Sequence, residues 1–409
     1  MHVLIIPSER FVPPDEPVAG IFQHHQAHAL SRAGIRVGVI APTPRSLRAL
    51  RTRTGTRTSG IEVENDAGIR IYRFQGINWP TARVEWLYQW YWNRIAMRLF
   101  HQYTQDRGTP DLVHAHNWLT AGVFAAQYLS KQGTPLIVTE HSSAYVCRPL
   151  SKWQRRTVAE ALPASSANLV VSPSLGQTLA CLFGRPAGSW HYVPNILDEF
   201  FERSELPRPK ASSDTSFRFL HIATLVPVKN QANLLRAFAL SYRGVPEVTL
   251  RIGGDGPLRA ELQGLATRLG ISPQVVFLGR LARDQVLAEM QRCDAFVLSS
   301  DCETFGVVLI EAAACGKPLI ATAGSGPDSI VHARNGLLVP PGDAAALAQA
   351  MKKLQHEIAG YDPAAIRADC IVRFGTEAVA EQLISVYRSV LSSRRGRTAI
   401  EQRASLLRT

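Results

Sequence analysis

The chain has 409 residues, of which 46% are hydrophobic and 19% charged, a size and balance that suit two domains with separate cores. No run of eighteen apolar residues occurs, which argues against a membrane-spanning helix, and the opening MHVLIIPSER enters a strand without the basic start and apolar stretch of a secretory signal. The net charge of +12 is spread along the chain, with 20 Lys and Arg against 13 Asp and Glu in residues 1–200 and 25 against 20 after them; it favours anionic partners, and nucleic acid is the weakest of these because no interleaved aromatic and basic binding motif is present.

In chain order, apolar runs predict strands at 2–8 and 36–42, with a helix over 22–33 between them. Further strands are expected at 69–74, 111–116, 135–140 and 167–173, separated by helices, with a closing strand and turn over 191–200. Alternation of this kind implies a parallel sheet covered on both faces. Residues 202–216, ERSELPRPKASSDTS, are polar, contain two prolines and read as a linker. A second α/β unit follows, with strands at 217–224, 247–254, 274–280, 294–300, 317–322 and 336–341 and helices over NQANLLRAFAL, LRAELQGLATRLG and RDQVLAEMQR. Apolar periodicity over 376–391 predicts a last amphipathic helix, followed by a basic tail.

The expected fold class is therefore α/β, two Rossmann-like doubly wound domains facing across a cleft. The first occupies residues 1–201, the linker 202–216 and the second domain 217–375. The helix at 376–392 packs back on the first domain, and 393–409 form the tail. In such sheets ligands bind at the carboxyl ends of the strands.

The pattern DCETFGVVLIEAAACGKPLIAT (301–322) carries the chemistry most directly. Gly306 opens a helix just after the strand at 294–300, and a helix start offers unpaired N–H groups and partial positive charge to a phosphate. Glu311 lies five residues on, roughly 7.5 Å along the helix axis, about the offset between a nucleotide's diphosphate and its ribose. Glu303, just before the helix, is placed to reach hydroxyls of whatever the diphosphate carries. The alternative is a strand-to-helix turn with two solvated acids. Lys229 opens a helical segment, against the dipole, which suits a cation facing a diphosphate. GGDGP (253–257) lacks the full spacing of a dinucleotide loop and reads as a tight turn.

VPVKNQANLLRAF (226–238), IGGDGPLRAEL (252–262), VVFLGRL (275–281), the 301–322 segment and NGLLVPPGD (335–343) together resemble the donor-binding domain of family 4 glycosyltransferases, which have the GT-B fold. In the first half, residues 7–34, DLVHAHNW (111–118), VTEHSSAY (138–145) and VPNILDEFF (193–201) resemble the acceptor domain. The resemblance implies that Lys229 neutralises the leaving diphosphate, Gly306 and Val307 give backbone N–H groups to its distal phosphate, Glu311 holds the ribose and Glu303 the donor-sugar hydroxyls. It places His141 beside the donor sugar and Gly20 where backbone approaches the phosphates. The family usually has an arginine five residues before the lysine; Thr224 stands there, so one phosphate contact is missing or supplied elsewhere.

His24 and His28 have metal-ligand spacing, but the glutamate of a zinc protease is absent between them, and the resemblance makes this an ordinary helix. No metal and no cofactor beyond the nucleotide diphosphate sugar is implied. His114 and His116 are expected to line the cleft or cap a strand. The six cysteines form no CxxC and read as reduced cytosolic thiols. Arg45, Arg48, Arg51, Arg53 and Arg57, with the aromatic and arginine stretch at 84–100, suit either an anionic membrane surface or a solvated loop and a core-facing helix.

The implied function is a retaining glycosyltransferase that moves a sugar from a nucleotide diphosphate sugar to a saccharide or lipid-linked acceptor in cell-envelope polysaccharide or glycolipid synthesis. It would be cytoplasmic and peripheral to the membrane. The alternatives are a sugar-nucleotide epimerase or phosphorylase on the same fold, or a catalytically altered sugar-nucleotide binder.

Overall fold

A computed structural model describes residues 1–8, 11–12, 20–42, 60–76, 84–207 and 215–406, the last twelve as backbone only. Its first sheet contains β1 (His2–Ile6), β2 (Arg36–Ala41), β3 (Gly60–Asp66), β4 (Ile69–Gln75), β5 (Leu112–His116), β6 (Leu136–Glu140), β7 (Ala167–Val170) and β8 (His191–Tyr192). The spatial order is β3-β4-β2-β1-β5-β6-β7-β8. β1, β5 and β6 are buried along their whole length, which is why they read as continuous apolar runs.

Two features depart from the expected sheet. β3 pairs antiparallel with β4, Gly60 facing Gln75 and Asp66 facing Ile69. Its sequence, GIEVEND, is an edge strand exposed over most of its length, so no apolar run announces it. The closing strand shrinks to His191–Tyr192, both exposed.

The second sheet holds β9 (Phe217–Ile222), β10 (Val248–Gly253), β11 (Val275–Gly279), β12 (Ala295–Leu298), β13 (Leu319–Thr322) and β14 (Gly336–Val339), all parallel, in the order β11-β10-β9-β12-β13-β14. The GGDGP turn packs tightly on the loop after β9: a Cβ on Gly254 would lie 1.9 Å from the Ala223 oxygen. Its glycines serve backbone approach, as the turn reading requires.

Phe374 accepts a hydrogen bond from the Leu197 N–H at 2.7 Å. The helix Thr376–Leu406 then crosses to the first domain, where Val379, Leu383, Ile384 and Tyr387 share a core with Leu30 and Val37. The Tyr387 hydroxyl lies 2.6 Å from His114 Nδ1. Part of the linker, 208–214, and the arginines at 45–57 lie outside the described residues. Among the described residues no helix is long and apolar enough to cross a membrane.

Candidate active site

In the second sheet the chain order reverses between β9 and β12, and the loops leaving those two strands form the crevice that doubly wound sheets use for ligands. The first loop carries Lys229 at the end of a short turn, Pro227–Lys229. The second carries Glu303 and Gly306. Two contacts lock them together: the Asp301 N–H donates to the Val228 oxygen at 2.9 Å, and the Ser299 hydroxyl to the Lys229 oxygen at 3.1 Å. Lys229 Nζ pairs with Glu303 Oε1, which also accepts from the Ser300 hydroxyl at 2.9 Å.

Gly306 caps the helix Val307–Ala314 with φ of 95°, a left-handed conformation that a side chain would strain. Gly326 supports the turn from behind. Its N–H donates to the Glu303 oxygen at 2.9 Å, and a Cβ there would come within 2.3 Å of the Phe305 nitrogen.

The opposite wall belongs to the first domain. Burial lowers the pKa of His141, at the end of β6, to about 4, so the imidazole is neutral. It lies edge-on to Phe22 at 4.7 Å and 3.3 Å from Gln23 Nε2. The preceding Glu140 is buried and shapes the loop by accepting from the N–H groups of Trp118, His141 and Ser142 at 2.9, 2.9 and 2.7 Å. Between the walls lies a cavity of about 330 Å³ lined by His141, Lys229, Glu303, Gly306 and Val307. Lys229 is the only lysine or arginine among its described lining residues, and Glu303 the only carboxylate.

Three other candidates stand apart from that cavity. Glu311 sits farther along the Val307–Ala314 helix, half-buried; burial raises its pKa to about 7, and the Arg283 charge opposes the rise. Thr224 is exposed, its carbonyl accepting from Gln231 Nε2 at 3.1 Å, and it does not line the cavity. Gly20 caps the helix Ile21–Arg32 with φ of 68° and is likewise not among the lining residues. His114 and His116 do not line the cleft either; both are buried in the first domain, where burial holds them neutral.

The reading of six reduced thiols is overturned by one pair. Cys147, from the first domain, and Cys302, next to Glu303, both line the cavity and form a disulfide. The two are 155 residues apart, and only the approach of the domains brings them together. Cys181, Cys293, Cys315 and Cys370 are free thiols.

The family described as "Glycosyltransferase Family 4" matches residues 19–199, and "Glycosyl transferases group 1" matches 202–359, so the two span both sheets. A glycogen synthase of Mycobacterium tuberculosis is 26% identical over 420 residues, covering 97% of this chain and 96% of that protein. The chain belongs to the family 4 glycosyltransferases. A D-inositol 3-phosphate glycosyltransferase of Catenulispora acidiphila is 29% identical, covering 71% of this glycosyltransferase and 75% of the relative. Among solved structures, the Anabaena protein HepE in complex with UDP shares the GT-B fold, with a TM-score of 0.71, 21% identity and coverage of 95% and 100%.

Several residues of this glycosyltransferase's cleft escaped the sequence reading one by one: Phe22, Ser142, Ser143 and Asn195. All but Phe22 lie in two segments that carried the resemblance, VTEHSSAY and VPNILDEFF, and Phe22 lies in the third, 7–34. The signal was present at the level of segments; which side chain turns into the cleft was not.

Proposed function

We propose that this glycosyltransferase takes a nucleotide diphosphate sugar in the cleft and transfers the sugar with retention of anomeric configuration to a saccharide or lipid-linked acceptor of the cell envelope. The observation that carries the reading is the convergence of Lys229, Glu303 and the Gly306–Val307 helix start on one cavity. In the structure the Lys229 ammonium is held by Glu303. An incoming diphosphate gives it a second, stronger partner, and the leaving group's charge is then shared between Nζ and the helix N–H groups. Glu303, freed of part of that pairing, accepts hydrogens from sugar hydroxyls.

Among the described lining residues Glu303 is the only carboxylate, and it is already committed to Lys229 and the Ser300 hydroxyl. Among the described residues no second acid lines the cavity as a covalent nucleophile, which supports front-face attack assisted by the leaving phosphate. Glu311, once ionised, would receive the ribose hydroxyls. Neutral His141 would orient a sugar hydroxyl from the opposite wall, and closure of the two walls would exclude water.

Lys229→Ala should lower kcat about 100- to 1,000-fold, the range for loss of one group stabilising developing charge, while donor binding survives. Wild-type turnover in that variant, measured with a panel of nucleotide sugars and saccharide acceptors, would remove the assignment. The position of Thr224 off the cavity favours one rival, a catalytically altered binder; donor binding with no turnover on any acceptor would support it.

The acceptor side is proposed to rest on the cytoplasmic face of an anionic membrane. On the helix Glu85–Arg107, Trp86, Trp90, Arg94 and Arg98 recur every four residues, so they share one face. Trp86 is 60% and Trp90 50% exposed, and the Arg94 guanidinium stacks 5.2 Å from the Trp90 ring. The opposite face, with Trp92, Leu99 and Tyr103, fills the core. Vesicles containing anionic lipid should bind the protein at low salt and release it at high salt, and Trp86→Ala with Trp90→Ala should weaken binding. No sedimentation with such vesicles at low salt would refute the membrane reading.

A further inference from the structure

We infer that His24, His28 and Asp66 form a divalent-metal site, a two-histidine, one-carboxylate set for a first-row ion such as Zn²⁺. The two histidines lie one turn apart on the helix Ile21–Arg32, and Asp66 ends β3 at the turn into β4. His24 Nε2 and His28 Nε2 stand 2.6 and 2.9 Å from the same Asp66 oxygen, Oδ2, and 3.1 Å from each other. All three side chains are half-buried.

Both Nε2–H groups can donate to Oδ2, which crowds two donors 3.1 Å apart onto one carboxylate oxygen. A cation at the centre turns three converging lone pairs into three bonds. Ligands roughly 2.1 Å from one ion lie about 3 Å apart at octahedral angles and about 3.4 Å apart at tetrahedral ones, so the sides of 2.6, 2.9 and 3.1 Å match the octahedral spacing and would open slightly around a tetrahedral zinc. Imidazole with carboxylate oxygen suits zinc and its neighbours better than magnesium or calcium, which prefer oxygen alone.

The three residues also line a cavity of about 650 Å³ that opens to solvent, so the ion's free positions would be accessible from outside. Arg32, Arg203 and Arg283 line it too, each paired with Glu199 or Asp198, so their charge is largely answered locally. Among the described residues none lines both this cavity and the one holding Lys229. The ion is therefore placed outside the transfer chemistry. Its direct effect is to pin the β3–β4 hairpin to the helix that carries Phe22 and Gln23, which both contact the His141 ring.

The test uses the full chain, stripped with chelator and kept reduced. Titration with ZnCl₂ should show one ion per chain with a dissociation constant in the micromolar range or tighter, and a Zn²⁺-dependent rise in Tm. Asp66→Asn and His28→Ala should each weaken binding at least tenfold and abolish the rise in Tm. Asp66 sits 40% exposed at a turn, so its variant is expected to fold, checked by circular dichroism. Co²⁺ should give a visible spectrum without thiolate charge-transfer bands. Absence of saturable binding, binding unchanged in Asp66→Asn, or thiolate bands that persist in both variants would each overturn the site.

Discussion

On the C-terminal side of the cleft, Lys229, Glu303, Gly306 and Val307 come from the segments that follow two neighbouring strands, joined by one backbone hydrogen bond, the Ser299 hydroxyl and the Lys229–Glu303 pair. On the N-terminal side, Phe22, His141, Ser142, Cys147 and Asn195 come from three separate segments held by side chains: an edge-on ring contact, a buried carboxylate gathering three N–H groups, and a disulfide. The first wall is the one proposed to receive the donor's phosphates, and its geometry follows from a strand–turn–helix unit. The second depends on long-range packing. Substitution should therefore act sharply and locally on the first wall, and through position and redox state on the second.

The comparison breaks most severely at Gly306. Gly306→Val forces a β-branched residue into φ of 95° and brings a Cβ to 3.1 Å from Leu309 Cδ1. Strain of roughly 1–2 kcal/mol and a blocked helix start should together reduce transfer at least about as much as loss of an oxyanion donor, on the order of 100-fold. Calorimetric donor binding indistinguishable from wild type would show that this wall is not the phosphate receptor.

Next in size is the pH response of Glu311. Its folded pKa is raised to about 7 from an ordinary 4.5. Between those values the folded state keeps a proton that the unfolded chain has lost, so stability falls as pH rises from about 4.5 to 7 and is level on either side. The size should be about 1–3 kcal/mol, read as the difference in urea unfolding between wild type and Glu311→Gln. That difference matters because Glu140 is raised over the same range. Donor affinity should move oppositely, strengthening as Glu311 ionises through pH 7. Arg283→Ala removes the opposing charge and should shift that affinity profile to higher pH; a profile unchanged in both variants would detach Glu311 from the ribose.

The disulfide tests the second wall. Cys147–Cys302 ties the two domains within the cavity lining, so the oxidised protein should admit donor and release product several-fold more slowly than the reduced one. Stopped-flow binding with and without reductant measures this, and Cys147→Ser should be indifferent to reductant. Equal rates in both redox states would mean that the walls need not part. The smallest effect is expected at Thr224. Thr224→Arg returns the cation usual at that position and should tighten donor binding up to about tenfold, the scale of one charged hydrogen bond; weaker binding would place position 224 outside the donor's reach.

Where the sequence was legible, a local rule governed it. Buried parallel strands are apolar throughout, and helix starts at phosphate sites need a glycine, so β9, β12, Lys229, Glu303 and Gly306 were visible together in two short segments. The helix Arg283–Arg292 emerged at its predicted bounds for the same reason. β3 was not visible, because an exposed edge strand has no apolar run to show. Nor were Asp66 beside His24 and His28, or Cys302 beside Cys147: each pairing joins residues far apart in sequence, and spacing along the chain carries no record of it.

By itself, then, the amino-acid order determined the alternating α/β architecture, its division into two sheets and the loops that carry Lys229, Glu303 and Gly306, because hydrophobic periodicity and turn chemistry act over a few residues. Tertiary structure alone decided the composition of the opposite wall, the His24–His28–Asp66 cluster, the disulfide and the seating of Glu311 near Arg283, because those depend on which distant surfaces meet once both sheets have formed.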